Sequence, residues 1–151
     1  MNEEDALEEM ARIYNELEGL RADRDCRART TCCQFGLTGR TPMLTSGEAL
    51  MVVKGLRASG RKGLPASEDP GKGRCPLLGK DGRCWIYDHR PFGCRTHFCA
   101  AAGGDLPRKA IHHLIQRLET LAEKLGDSDV RKLPDAVQHS LGNKTARRGR
   151  R

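Results

Sequence analysis

Aromatic residues are scarce in this 151-residue chain, which has one Trp, two Tyr and three Phe. Its core must therefore be assembled from Leu, Ile, Val, Ala and Met. A domain this small with so little aromatic bulk often depends on a bound metal for stability. Long apolar runs are missing too. No stretch reaches the roughly 20 residues that a membrane-spanning helix requires, which argues against a membrane protein. Met1 to Leu20 carries seven acids, one arginine and no continuous apolar segment, unlike a secretory leader. A reducing, cytoplasmic setting is expected, and stable disulfides are uncommon there. Nucleotide fingerprints, internal repeats and paired carboxylates are also absent, so the chain shows no catalytic motif outside its cysteines. The segment Gly55 to Lys62 superficially resembles a phosphate-binding loop, but Arg61 stands where lysine is needed and Lys62 where a magnesium-binding hydroxyl belongs.

The net charge of +7 is a property of one end. Lys144, Arg147, Arg148, Arg150 and Arg151 supply five charges in the last eight residues, which leaves +2 for residues 1–143. Such a run can touch nucleic acid, but without interleaved aromatics it reads more simply as a solvated, disordered tail over 143–151. Nucleic acid is therefore the less favoured partner. Residues 1–142 form the expected single domain.

Two amphipathic helices frame it. Over residues 3–21, Leu7, Met10, Tyr14 and Leu17 form a stripe that Ala6, Ile13 and Leu20 widen. The acids Glu3, Glu4 and Asp5 suit the positive end of its dipole. This helix could also dock a protein partner, though two heptads are too few to favour a coiled coil. Over residues 106–125, Ile111, Leu114, Ile115, Leu118, Leu121, Ala122 and Leu125 share a face, with Asp105 as the expected N-cap and Gly126 as terminator. His112 and His113 are adjacent on this helix and point in different directions, so they do not read as paired ligands. Thr45 to Glu48 has the capping-box pattern and opens a short helix through about Leu56. A Gly- and Pro-rich loop follows to Cys75, and a weak helix is expected over 134–141.

Seven cysteines carry the chemistry. Cys26, Cys32 and Cys33 form one group; Cys75, Cys84, Cys94 and Cys99 form another. An odd count would strand one thiol in a disulfide framework, and the neighbours Cys32 and Cys33 are poorly placed to bridge each other. Thiolates from two distant segments are instead suited to a shared metal, because zinc and iron–sulfur clusters favour anionic sulfur in tetrahedral geometry. The turn signal Gly79 to Gly82 can fold Cys75 and Cys84 together across a short hairpin. His97, between Cys94 and Cys99, adds an imidazole, so eight donors are available. Arg90 and Arg95 adjoin the ligand segment and can offset excess negative charge. Trp85 and Tyr87 can shield the site and each donate a hydrogen bond.

The run Cys26…Cys32-Cys33, Thr45…Glu48, Cys75-Pro-Leu…Cys84-Trp-Ile-Tyr…Arg90-Pro-Phe-Gly-Cys94-Arg…Cys99 resembles the YkgJ-type cysteine-cluster family, described as a zinc- or iron-chelating domain. The resemblance covers about residues 26–99. It implies a bacterial cytoplasmic protein whose cysteines hold an iron–sulfur cluster or zinc, without a settled reaction for free-standing members. A related cluster in a flagellin lysine methylase makes an enzyme-associated role conceivable. Arg29 stands where many members carry a further cysteine.

The expected protein is a mainly α, small single domain, with helices packed around a loop-rich cysteine core and at most a short hairpin. Its expected function is metal binding through Cys26, Cys32, Cys33, Cys75, Cys84, Cys94, Cys99 and His97. An iron–sulfur cluster is favoured over zinc by the thiolates beyond four, the Cys-Pro step and the arginines. Two alternatives remain. One is a thiol enzyme with Cys94 activated by Arg95 and His97; the other is a nucleic-acid accessory protein using the tail and the Lys54–Arg74 loop.

Overall fold

A computed structural model of the chain describes residues 1–20, 42–64, 75–79, 83–96 and 106–149, with side chains to residue 142. The fold is mainly helical, as expected. Helix α1 spans Glu3–Gly19, with Asn2 as its N-cap: the Asp5 N–H donates to Asn2 Oδ1 at 2.7 Å. It buries Ala6, Met10, Ile13, Tyr14 and Leu17 on one face. A short strand β1, Met43–Leu44, leads into α2, Ser46–Ala58. A 3-10 turn, Tyr87–His89, precedes the one-turn helix α3, Phe92–Thr96. Helix α4 spans Arg108–Lys124. Strand β2, Arg131–Lys132, pairs antiparallel with β1 through Met43↔Lys132 and Leu44↔Arg131. It runs directly into α5, Leu133–Gly149.

Two boundaries differ from the sequence reading. The N-cap of α4 is Pro107, not Asp105. Leu106 is buried in the core and its N–H donates to Thr96 O at 3.0 Å, which fixes the chain outside the helix until Pro107. Asp105 itself lies outside the described residues. Helix α5 also continues to Gly149, through most of the segment expected to be a disordered tail. Lys144, Ala146, Arg147 and Arg148 are strong helix formers, and no proline interrupts them.

Helix α2 sits at the centre of the architecture, with α1, α4, α5 and the 3-10 turn packed on it. Its faces serve two apolar clusters. Met51 joins the stripes of α1 and α4, together with Phe92 and Leu106. Ala49, Val52, Val53 and Leu56 face a second cluster containing Leu44, Cys75, Leu77, Leu78, Ile86, Leu133, Ala136 and Val137. Both α2 and α4 stop in the same way. Gly60 (φ 80°) and Gly126 (φ 78°) adopt the left-handed conformation that glycine tolerates. The N–H groups of Arg61 and Asp127 then close the last turns onto Leu56 O and Ala122 O, as in a Schellman motif. Gly60 is thus a helix terminator, and the apparent phosphate loop from Gly55 is helix plus cap. Among the described residues, no helix is long and apolar enough to cross a membrane.

At Gly55 the segment carrying Ile86 and His89 packs directly on α2. A Cβ there would meet His89 Cβ at 2.8 Å and Ile86 Cγ2 at 3.0 Å. Alanine gains about 1 kcal/mol of helix propensity, but forced overpacking costs about 1–3 kcal/mol. Gly55→Ala should therefore lower stability in urea unfolding; unchanged or raised stability would show that the segment moves aside freely. Arg117 joins α4 to α1 through Glu9 (2.6 Å) and Glu16 (2.7 Å). Its hydrogen bond to Glu9 holds that carboxyl below the ordinary value of 4.5. A depressed carboxyl contributes stability that is present above the unfolded value and lost as pH falls through the native one. Arg117→Met should cost about 1 kcal/mol at neutral pH, and the difference from the parent should shrink below about pH 4. A pH-independent loss would assign the effect to packing.

Candidate functional site

The Cys75–Cys84 segment is built on a turn and a hairpin. Leu78 N–H donates to Cys75 O at 3.1 Å, which places Pro76 inside a four-residue turn. Proline's fixed φ favours that position, so the Cys-Pro step has a local structural reason. The strands on either side of Gly79 then pair. Gly79 N–H donates to Arg83 O at 2.8 Å, Trp85 N–H donates to Leu77 O at 2.9 Å, and Leu78 opposes Cys84. Leu77, Leu78 and Ile86 seat this hairpin on α2. Cys75, 6% exposed, lies within the same apolar cluster, and the half-buried Cys84 and Trp85 pack against it. Cys75, Cys84 and Cys94 are thiols, not disulfide partners.

Cys94 has different surroundings, organised by Glu48. This carboxylate is 3% exposed. Its Oε2 accepts from the Thr45 N–H at 2.7 Å and the Thr45 hydroxyl at 2.8 Å, which holds the start of α2. Its Oε1 accepts the Phe92 N–H at 2.9 Å, across 44 residues of sequence. Burial raises the Glu48 carboxyl above its ordinary value, against the opposing pull of these donors. The same residue that caps α2 therefore anchors the Arg90–Cys94 turn.

Arginines brace that turn from outside. Arg90 stacks over the Tyr87 ring at 3.9 Å and donates to Tyr87 O at 2.9 Å and Cys94 O at 3.5 Å. Arg95 donates to Arg90 O at 2.9 Å and to Asp88 O. It also pairs with Glu18 of α1 at 3.8 Å and lies over the Tyr14 ring at 4.1 Å. Burial pulls its pKa down. Trp85 is covered by Arg61, 3.7 Å from the ring centroid, and Tyr87 is 42% exposed.

Tyr14 was legible only as part of an apolar stripe, yet its hydroxyl is the most unusual polar group among the described residues. The side chain is 5% exposed, and its oxygen has no hydrogen-bond partner. Arg95 lies over the ring face. Burial raises the phenol well above 10, and the Glu48 and Cys94 charges push the same way while Arg95 opposes them. An unpaired buried hydroxyl costs about 1–3 kcal/mol.

Of the expected ligands, Cys26, Cys32, Cys33, His97 and Cys99 lie outside the described residues. Among the described residues, no three side chains of metal-binding type converge. His112 and His113 are exposed on α4, and His113 faces Glu16 at 3.6 Å. A cavity of about 230 Å³ lies elsewhere, between the starts of α1 and α2 and helix α5. Its wall includes Asp127, paired with Arg131 at 3.0 Å and His139 at 3.3 Å, and contains no cysteine. No family model, curated protein or solved structure matches the chain.

Glu48→Gln tests the anchor. An amide keeps the shape but turns one N–H₂ toward a donor, either at Thr45 or at Phe92. The loss should be about 1–3 kcal/mol, and Glu48→Ala should exceed it because a cavity is added. Urea unfolding of both variants checks this; an effect below about 0.5 kcal/mol, typical of ordinary surface changes, would refute the anchor.

Proposed function

We propose that the chain is a cytoplasmic metal-binding protein that holds an iron–sulfur cluster or zinc through cysteine thiolates. The observation that carries this reading is how the described cysteine segments are held. The Cys75–Cys84 hairpin is seated on α2 by Leu77, Leu78 and Ile86, and the Cys94 turn is anchored to the same helix by Glu48. One rigid helix thus supports sulfur-bearing segments from two parts of the chain, as preorganised metal sites require. The surroundings of Cys94 fit such a centre. Arg90 and Arg95 supply positive charge beside the thiol, and Tyr14 supplies a buried donor with no partner of its own. The resemblance of residues 26–99 to the YkgJ-type cysteine-cluster family points the same way, and the number of thiolates favours iron–sulfur over zinc. A thiol enzyme would draw on the same Cys94–Arg95 adjacency, and metal analysis separates the two.

Cys75, Cys84 and Cys94 would hold the metal with donors from the other cysteines and His97. When bound, a cluster would supply electron transfer, and zinc would supply structural cross-linking. Full-length protein purified without oxygen should be brown and contain iron and sulfide; a colourless protein with stoichiometric zinc would leave a structural zinc module. Single Cys→Ser changes at Cys26, Cys32, Cys75, Cys84, Cys94 and Cys99 should each lower metal content or soluble yield, since losing a ligand removes folding free energy. Metal content and stability unchanged in four or more of them would defeat the proposal.

A further inference from the structure

We infer that the exposed side of α2, together with the aromatic segment packed on it, is a binding surface for single-stranded nucleic acid. The inference is independent of the metal centre, and its site is not the basic run at the end of the chain.

The surface is assembled around Gly55. Because that position has no side chain, Ile86 and His89 come down onto α2. Ile86 is buried against the helix, while its neighbours Trp85 and Tyr87 reach the surface, Trp85 half-buried and Tyr87 exposed. The other described aromatics, Tyr14 and Phe92, are buried. Each outer ring has a guanidinium over it. Arg61, just past the end of α2, lies 3.7 Å from the Trp85 centroid, and Arg90 lies 3.9 Å from that of Tyr87. Lys54 and Arg57 are exposed on the turn of α2 that contains Gly55, and Lys62 is exposed beside Arg61.

Charge on this side is uncompensated, unlike elsewhere on the molecule. Arg12 meets Glu8 and Glu9, Arg117 meets Glu9 and Glu16, and Arg131 meets Asp127 and Asp129. Among the described residues, Lys54, Arg57, Arg61 and Lys62 form no ion pair. Asp88 is the one carboxylate between Trp85 and Arg90. Unpaired cations suit a phosphate backbone. Exposed rings set beside guanidinium groups add the stacking face that an unpaired base uses. A duplex keeps its bases stacked and offers no such face. An acidic peptide would match the charge but not the rings. The combination fits a single strand whose phosphates meet Lys54, Arg57 and Lys62 while a base stacks on Tyr87.

The test titrates full-length protein with labelled oligouridylate and oligothymidylate of about 12 nucleotides, within the range that one binding face covers. Both should bind, with affinity falling as salt rises, and the tighter of the two names the strand. Trp85 is the only tryptophan, so quenching of its emission should accompany binding. Tyr87→Ala, at an exposed position, should weaken binding by about 10-fold. Lys54→Gln with Arg57→Gln should lower the slope of log affinity against log salt by about 0.7 for each lost phosphate contact. Circular dichroism should stay helical in both variants. The quenching in the parent protein reads the surface even if Tyr87→Ala folds poorly. Heparin, poly-glutamate or duplex DNA binding as tightly as the single strands would overturn the inference, leaving a patch that reads charge alone. It would also be overturned if both variants bound like the parent, or if replacing the basic residues of 144–151 by glutamine abolished binding while Tyr87→Ala did not weaken it.

Discussion

One buried carboxylate holds the two halves of this molecule in register. Taking Glu48 out of water is unfavourable unless donors replace the lost hydration, and three do. Two come from Thr45, at the start of α2, and one from Phe92, at the start of the turn that carries Cys94. The helix therefore cannot be capped in its present form without also fixing the turn. This coupling explains why a residue in the first turn of a helix is almost fully buried. It also makes the position of Cys94 depend on the folding of α2 rather than on its own short helix, which at five residues is too short to be stable alone.

Helix α2 does the same for the other cysteine segment by apolar means. Gly55 removes a side chain where His89 and Ile86 come down onto the helix, and Val52, Val53 and Leu56 present a smooth wall beside it. The two attachments differ in kind. The hairpin of Cys75 and Cys84 is held by non-directional burial, which tolerates small displacements. The Cys94 turn is held by directed bonds from Glu48, Arg90 and Arg95, which do not.

Much of the scaffold was legible in the sequence, and the reasons are local. The stripes of α1 and α4, the Thr45–Glu48 cap, Gly126 as terminator and the pairing of Leu78 with Cys84 all follow from spacings of two to seven residues. What stayed hidden depends on long-range partners. Glu48 reads as a capping residue whether or not Phe92 reaches it from 44 residues away. Tyr14 fits an apolar stripe, and the stripe is silent about where its polar tip points. Asp105 suits an N-cap, but Leu106 is drawn into the core and bonds Thr96, so the helix begins later. The tail was read by its charge, although its Lys, Ala and Arg content also favours helix. Of the candidate site, Cys75, Cys84 and Cys94 and their supports are defined by the fold, whereas the other ligands lie outside the described residues.

The arginines beside the cysteines do two things that sequence alone presents as one. Their charge was the feature noticed first, as a counterweight to thiolates. Their hydrogen bonds go to main-chain carbonyls: Arg90 to Tyr87 and Cys94, Arg95 to Asp88 and Arg90. A guanidinium presents several donors in one plane, so each arginine can gather carbonyls from neighbouring turns and still leave its charge next to sulfur. Lysine could supply the charge but not the planar fork. The turn that carries Cys94 is thus shaped by two cationic side chains. Shape and potential at Cys94 cannot be altered independently by changing either arginine. Tyr14 stands apart in this respect, because its hydroxyl bears no structural bond among the described residues and can be removed while the ring remains.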